Sequence, residues 1–129
     1  MESTIAEKFD AILQRLEMTS RMKDFYDIYY LSKMFDFDGR KLQEAITETL
    51  QNRGTTYNRD SLQQIAGFID DAEMVAKWKR ALKDIKKPDL TFAEVVGTIV
   101  NFLEPVWQGI VNEEEFFGTW QKNKWQRKQ

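Results

Sequence analysis

The chain has no cysteine and no histidine. Without cysteine there are no disulfides and no thiolate chemistry. Without histidine there are no Ser–His or Cys–His nucleophile pairs, and losing both residue types excludes the usual zinc sites. Glycine-flanked alternating segments are also missing, so few or no β-strands are expected. No apolar run is long enough to span a bilayer. The start, Met1-Glu-Ser-Thr4, lacks the basic-then-apolar order of a signal peptide, which makes the cytoplasm the expected compartment. A net charge of −2 gives no overall attraction to nucleic acid or membrane, so any such binding needs a local patch. Carboxylates, lysines, arginines, tyrosines and hydroxyls remain for chemistry.

Helical periodicity fills most of what is present. A chain of 129 residues with 42% hydrophobic and 31% charged residues suits one domain with one core. Ile5, Phe9, Ile12, Leu13 and Leu16 form a first stripe. Thr4 and Glu7 have capping-box spacing, so a helix is expected to open almost at once, as in a fragment of a longer protein. A short break at Thr19-Ser20 leads to a second helix, about Arg21 to Phe35. It is apolar on two sides, which predicts burial all round. Asp36 to Gly39 reads as a turn. A third helix stops at Arg53-Gly54, where glycine suits a C-terminal cap. A fourth element starts at Asp60 or Ser61, and Asp70-Asp71 interrupts it. Another helix carries Met74, Val75, Trp78, Leu82 and Ile85, ending before Pro88. Thr91 and Glu94 repeat the capping spacing ahead of Phe92 to Leu103. Pro105 is expected to kink or end that helix, with Val106–Val111 forming a short one after it. The expected fold is all-α, a single-domain bundle of about five to seven helices over residues 1–129, with 113–129 as a peripheral tail.

Charge placed among apolar residues marks the candidate sites. In the second helix Asp24 and Asp27 lie three apart on one side, and Lys23 and Asp27 are spaced for an intrahelical pair. A buried carboxylate is costly unless it is paired or put to use. Two readings stay open. One is a structural network in which the aspartates meet Arg21, Lys23 or Lys8. The other is a ligand site, with a carboxylate as base or metal ligand and lysines on phosphates. A tight hairpin would put Lys8 within roughly 5–10 Å of the aspartates along the axis, a span suited to facing one nucleotide rather than to certain contact. The basic run Lys77, Lys79, Arg80, Lys83, Lys86 and Lys87 is either a solvated face or a phosphate-binding stripe. Phe116, Phe117, Trp120 and Trp125 either close the bundle or bind a partner.

The segment Ala6-Glu-Lys-Phe-Asp-Ala-Ile12, followed by Ser20-Arg-Met-Lys-Asp-Phe-Tyr-Asp-Ile28, resembles the second half of AbiEii nucleotidyltransferase-like toxins. Phe37-Asp-Gly39, Leu42, Ala45-Ile46, Arg53, Trp78 and Phe102-Leu-Glu-Pro-Val106 extend the likeness. The resemblance implies a bacterial toxin–antitoxin or abortive-infection protein in which an N-terminal core carries Gly-Ser and a magnesium-binding Asp-x-Asp pair. The helical half then supplies a lysine and a Lys-Asp motif, which fall on Lys8 and on Lys23-Asp24. It implies phosphate contacts for Lys8 and Lys23, a base or orienting role for Asp24, and support from Arg21 and Asp27. It further implies Mg2+ and a nucleoside triphosphate for the complete protein, with a cognate antitoxin and an RNA acceptor as partners. None of the six glycines is followed by serine. The chain is therefore expected to lack the metal-binding half, to hold no metal by itself and to be inactive alone. The alternative is a non-enzymatic helical module that binds protein or RNA.

Overall fold

In the computed structural model the described residues are 1–14, 22–87 and 89–127. The Thr19-Ser20 break, Leu16, Arg21, Pro88 and Lys128 lie outside them. Six helices are described: α1 (Glu2–Gln14), α2 (Met22–Met34), α3 (Gly39–Arg53), α4 (Ser61–Ala66), α5 (Ala72–Ile85) and α6 (Phe92–Val111). A short 3-10 turn, Gly67–Asp70, joins α4 to α5. The expected mostly helical, single-core fold is observed. A small antiparallel sheet, in order β1 (Phe37–Asp38), β2 (Gly118–Gln121) and β3 (Lys124–Arg127), was not expected.

Helix α6 is the centre of the bundle, packing on α2, α3 and α4, while α1 packs on α2 and α3. Its N-terminus is set as expected, since the Thr91 hydroxyl accepts from the Glu94 amide at 3.1 Å. Pro105 does not end α6 and no new helix starts after it, because α6 runs through it. A mid-helix proline costs about 3 kcal/mol. Phe102, Leu103, Val106 and Trp107 around it are all buried, and each contributes about 1.5–3 kcal/mol by leaving water. Burial on both sides of the proline outweighs the lost hydrogen bond.

The other ends follow side-chain chemistry. Helix α1 begins at Glu2, so Thr4 sits inside its first turn rather than at a cap. Asp38 accepts from the Arg40 and Lys41 amides and caps α3, and Gly54 at φ +62° closes it. Asp71 caps α5, so the aspartate pair does divide the two elements.

Helix α2 is apolar all round but buried on only one side. Met22, Phe25, Ile28 and Ser32 are buried, whereas Tyr30, Met34 and Phe35 are exposed. A stripe apolar on two sides is thus packed on one and left open on the other. Helix α5 flanks that outer face without filling it.

The tail closes the bundle as a hairpin. Lys122 and Asn123 both have positive φ, 52° and 68°, as a two-residue type I′ turn requires. Trp120 pairs with Trp125 across the strands and with Phe37 on β1. The Trp120 indole donates to the Ser32 carbonyl at 2.6 Å, and the Trp125 indole donates to the Phe102 carbonyl at 2.8 Å. Gln43 clamps the approach to the hairpin. Its amide donates to the Glu114 carbonyl at 2.7 Å and accepts from the Phe116 amide at 2.9 Å. Phe117 is the exception among the tail aromatics, being exposed.

Candidate functional site

The packing of α1 on α2 brings the charged residues together. The Lys8 ammonium lies 3.0 Å from an Asp27 carboxylate oxygen and 3.4 Å from one of Asp24. Contact is direct, closer than the axial span read from the sequence, because a lysine side chain reaches across as well as along the helix pair. Lys23 meets Asp27 at 3.2 Å, the expected i,i+4 pair. The cluster grades from inside to outside. The Asp24 side chain is 6% exposed, Asp27 19%, Lys8 27% and Lys23 82%. Arg21, expected to support it, lies outside the described residues.

Electrostatics keep Lys8 charged. Burial lowers its pKa, but the hydrogen bond and charge of Asp27 and the charge of Asp24 outweigh that and raise it above 10.5. A carboxylate pair that shares one ammonium is a charge-assisted arrangement, stronger than neutral hydrogen bonds. An ammonium has three donor hydrogens, and two are directed at these carboxylates. One donor remains for a further acceptor such as a phosphate oxygen.

Metal ligation is not built from these groups. Among the described residues no group of three or more Asp, Glu, His or Cys is placed to hold a metal ion. The chain does contain Asp36-Phe37-Asp38, yet Asp38 caps α3 and Asp36 is exposed. Among the described residues, then, no donor set fits a resident magnesium.

A second carboxylate is more buried than Asp24 and was missed in the sequence. Asp10 is 1% exposed. It accepts from Gln14 at 3.1 Å and from the Thr55 hydroxyl, with the Arg53 guanidinium 3.7 Å away. Arg53 also meets Glu7. These partners tie α1 to the end of α3 and leave Asp10 turned away from the Lys8 cluster. Its position one turn before Gln14 and the Arg53-Gly54 stop were visible, but the pairing needed the fold.

A groove leads away from the cluster between α2 and α5. Its first hollow, about 660 Å³, is lined by Lys23, Asp27, Tyr26, Tyr30 and Asp84 among others. A second of about 480 Å³ adjoins it across Tyr26 and Tyr30 and is bordered by Tyr29, Lys33, Lys86 and Lys87. Burial, then the charges of Glu94 and Tyr26, raise the Tyr29 pKa above 10, so the phenol stays neutral. The rest of the basic run, Lys79, Arg80 and Lys83, is exposed on α5, and Lys77 pairs with Glu73 at 3.7 Å. Trp78 belongs to the core, its indole donating to the Leu90 carbonyl at 2.9 Å.

No curated protein and no solved structure matches the chain. One family model does, described as nucleotidyl transferase AbiEii toxin of a type IV toxin–antitoxin system, and it covers residues 1–102. That span holds α1 through most of α6, including the Lys8, Lys23, Asp24 and Asp27 cluster and the groove. The chain belongs to the AbiEii nucleotidyltransferase toxin family of type IV toxin–antitoxin systems.

Proposed function

We propose that this chain supplies the helical side of a nucleotidyl-transfer site, with Lys8 and Lys23 contacting the triphosphate and Asp24 orienting the reacting groups. The observation that carries it is the Lys8 ammonium held between Asp24 and Asp27 at 3.4 and 3.0 Å. A cation fixed before substrate arrives stabilises charge developing on departing pyrophosphate without reorganising. Asp27 steadies both lysines. Lys23, largely exposed, is free to swing toward a phosphate while Lys8 stays anchored. The magnesium ligands belong to a Gly-Ser and Asp-x-Asp core that this sequence does not contain. On this reading the chain transfers no nucleotide alone. Membership of a type IV toxin–antitoxin family implies an antitoxin partner, and an RNA is the proposed acceptor.

The test adds such a core in trans and follows transfer from a labelled nucleoside triphosphate in the presence of Mg2+. Lys8→Ala and Asp24→Ala are each expected to lower transfer at least 100-fold. Undiminished transfer in both would remove them from the site, and transfer by the chain alone would refute the need for a core. A second reading, a helical module binding protein or RNA, is favoured by the exposed Lys79, Arg80 and Lys83 on α5. It predicts partner binding that survives Asp24→Ala and weakens when those three are neutralised.

A further inference from the structure

The face of α2 left open by the bundle has a composition unlike an ordinary apolar surface. Tyr26, Tyr29 and Tyr30 follow one another at helical spacing, so their rings lie side by side. The Tyr26 and Tyr30 rings stack at 6.1 Å with a 30° interplanar angle. The Tyr30 side chain remains 45% exposed, so one ring of the stack still meets solvent. Cations edge the same hollow. Lys33 lies over the Tyr29 ring at 5.2 Å, and Lys86 and Lys87 arrive from the end of α5. Among the described residues none of these three lysines forms an ion pair with a carboxylate. Asp89 and Glu94 share the lining, so this hollow is slightly positive, while the adjoining one sets Lys23 against Asp27 and Asp84.

We infer that this tyrosine–lysine groove binds a short single-stranded nucleic-acid segment, with bases continuing the Tyr26–Tyr30 stack and Lys33, Lys86 and Lys87 meeting its phosphates. Stacked aromatics beside a basic track are the usual means of holding single strands without reading sequence. The floor is mostly apolar and its rim carries phenol hydroxyls and lysines, a lining that matches a base face flanked by its phosphate. From Tyr26 to Lys33 the helix rises about 10 Å, room for about three bases at a stacked spacing near 3.4 Å. A duplex presents no free base face to Tyr30. The groove's other end opens beside Lys23 and Asp27, so a strand lying in it would point its terminus at the proposed transfer site. That placement rests on the proposed function, whereas strand binding itself does not.

The experiment measures fluorescence anisotropy of labelled 8-nucleotide RNA and DNA single strands, and of the matching duplexes, against the full chain. Both single strands are expected to bind, the duplexes at least 10-fold more weakly. Tyr30→Ala should weaken binding roughly 10-fold and Tyr30→Phe should preserve it, since stacking needs the ring alone. Neutralising Lys33, Lys86 and Lys87 together should flatten a log–log salt slope of about −2 toward zero, as three phosphate contacts on a single strand require. Phe117→Ala, just before the hairpin and outside the lining of either hollow, should bind as the parent does. A preference for RNA over DNA would assign the natural strand to RNA, and equal binding would support a backbone-blind stack. Absence of single-strand binding, preference for duplex, or unchanged binding by Tyr30→Ala would each overturn the inference. Strand binding with no nucleotide transfer once a Gly-Ser and Asp-x-Asp core is added in trans would sink the proposed function and leave the groove standing. Transfer with no strand binding would do the reverse.

Discussion

Replacing Lys8 by methionine separates a structural role from a functional one. The substitution keeps the stem against α1 and α2 and removes only the ammonium. Asp24, 6% exposed, and Asp27, 19% exposed, would then face each other without it. Removing one partner of a fully buried pair costs about 3–5 kcal/mol. With Lys8 27% exposed, water reaches the gap, and about 2 kcal/mol is the expected loss. Unfolding entropy near 2.1 cal/mol/K per residue over this length gives about 0.27 kcal/mol per degree. Lys8→Met should therefore lower Tm by about 7 °C. Adding Asp24→Asn removes one of the two carboxylates that Lys8 meets, so Lys8→Met should cost at least about 1 kcal/mol less in that background, a coupling normal for contacting residues. Denaturant titration of the four proteins of the cycle gives the coupling. A coupling near zero, with Lys8→Met as stable as the parent, would refute the electrostatic account. If the double variant regains stability yet remains unable to support transfer with an added core, the cluster is functional as well as structural.

Stability should fall at high pH through the same contact. The Lys8 pKa is raised on folding, so its contribution is full below pH 10.5 and is lost as pH climbs through the higher folded value. Melting curves between pH 9 and 12 should show a loss that Lys8→Met lacks. Two glycines of α6 should respond to alanine with opposite signs. Gly97 has nothing within 4 Å of an added Cβ, so Gly97→Ala should stabilise by about 1 kcal/mol through helix propensity. At Gly109 the same Cβ would stand 2.8 Å from the Glu114 carbonyl and 2.9 Å from the Gln43 amide. Gly109→Ala should lose about 1–2 kcal/mol after overpacking is set against that propensity, and a higher Tm there would contradict the clamp. Trp120→Phe removes the 2.6 Å bond to the Ser32 carbonyl and part of a buried ring. A loss of about 2–3 kcal/mol is expected in chemical denaturation.

Where local chemistry dictates structure, the sequence was enough. The Thr91 cap, the Gly54 stop and the apolar stripe of α6 each act within a turn or two, and each appears as read. Errors arose where distant residues decide. Pro105 stays helical because partners on both sides bury its neighbours. The hairpin escaped notice because its turn is Lys122-Asn123, with no glycine to mark the positive φ values. The candidate site was half legible. The i,i+4 pairing of Lys23 with Asp27 follows from spacing, whereas the direct contact of Lys8 depends on how closely α1 and α2 approach. The two-sided apolar pattern of α2 suggested full burial, but its outer side is tyrosine, methionine and phenylalanine left open. Tyrosine, with an apolar body and a polar tip, was the clue in that stripe.

The hairpin also imposes a timetable. Trp120 binds the Ser32 carbonyl 88 positions away, and β2 pairs with Phe37 and Asp38. The apolar surface around Phe37 and Phe102 is closed by residues made long after Phe37. Until those residues leave the ribosome, the nascent chain carries an exposed aromatic cleft. Such long-range closure slows folding and lengthens exposure of sticky surface. A nascent chain stalled short of Trp120 would hold every charged group of the proposed site while its core still stood open to water.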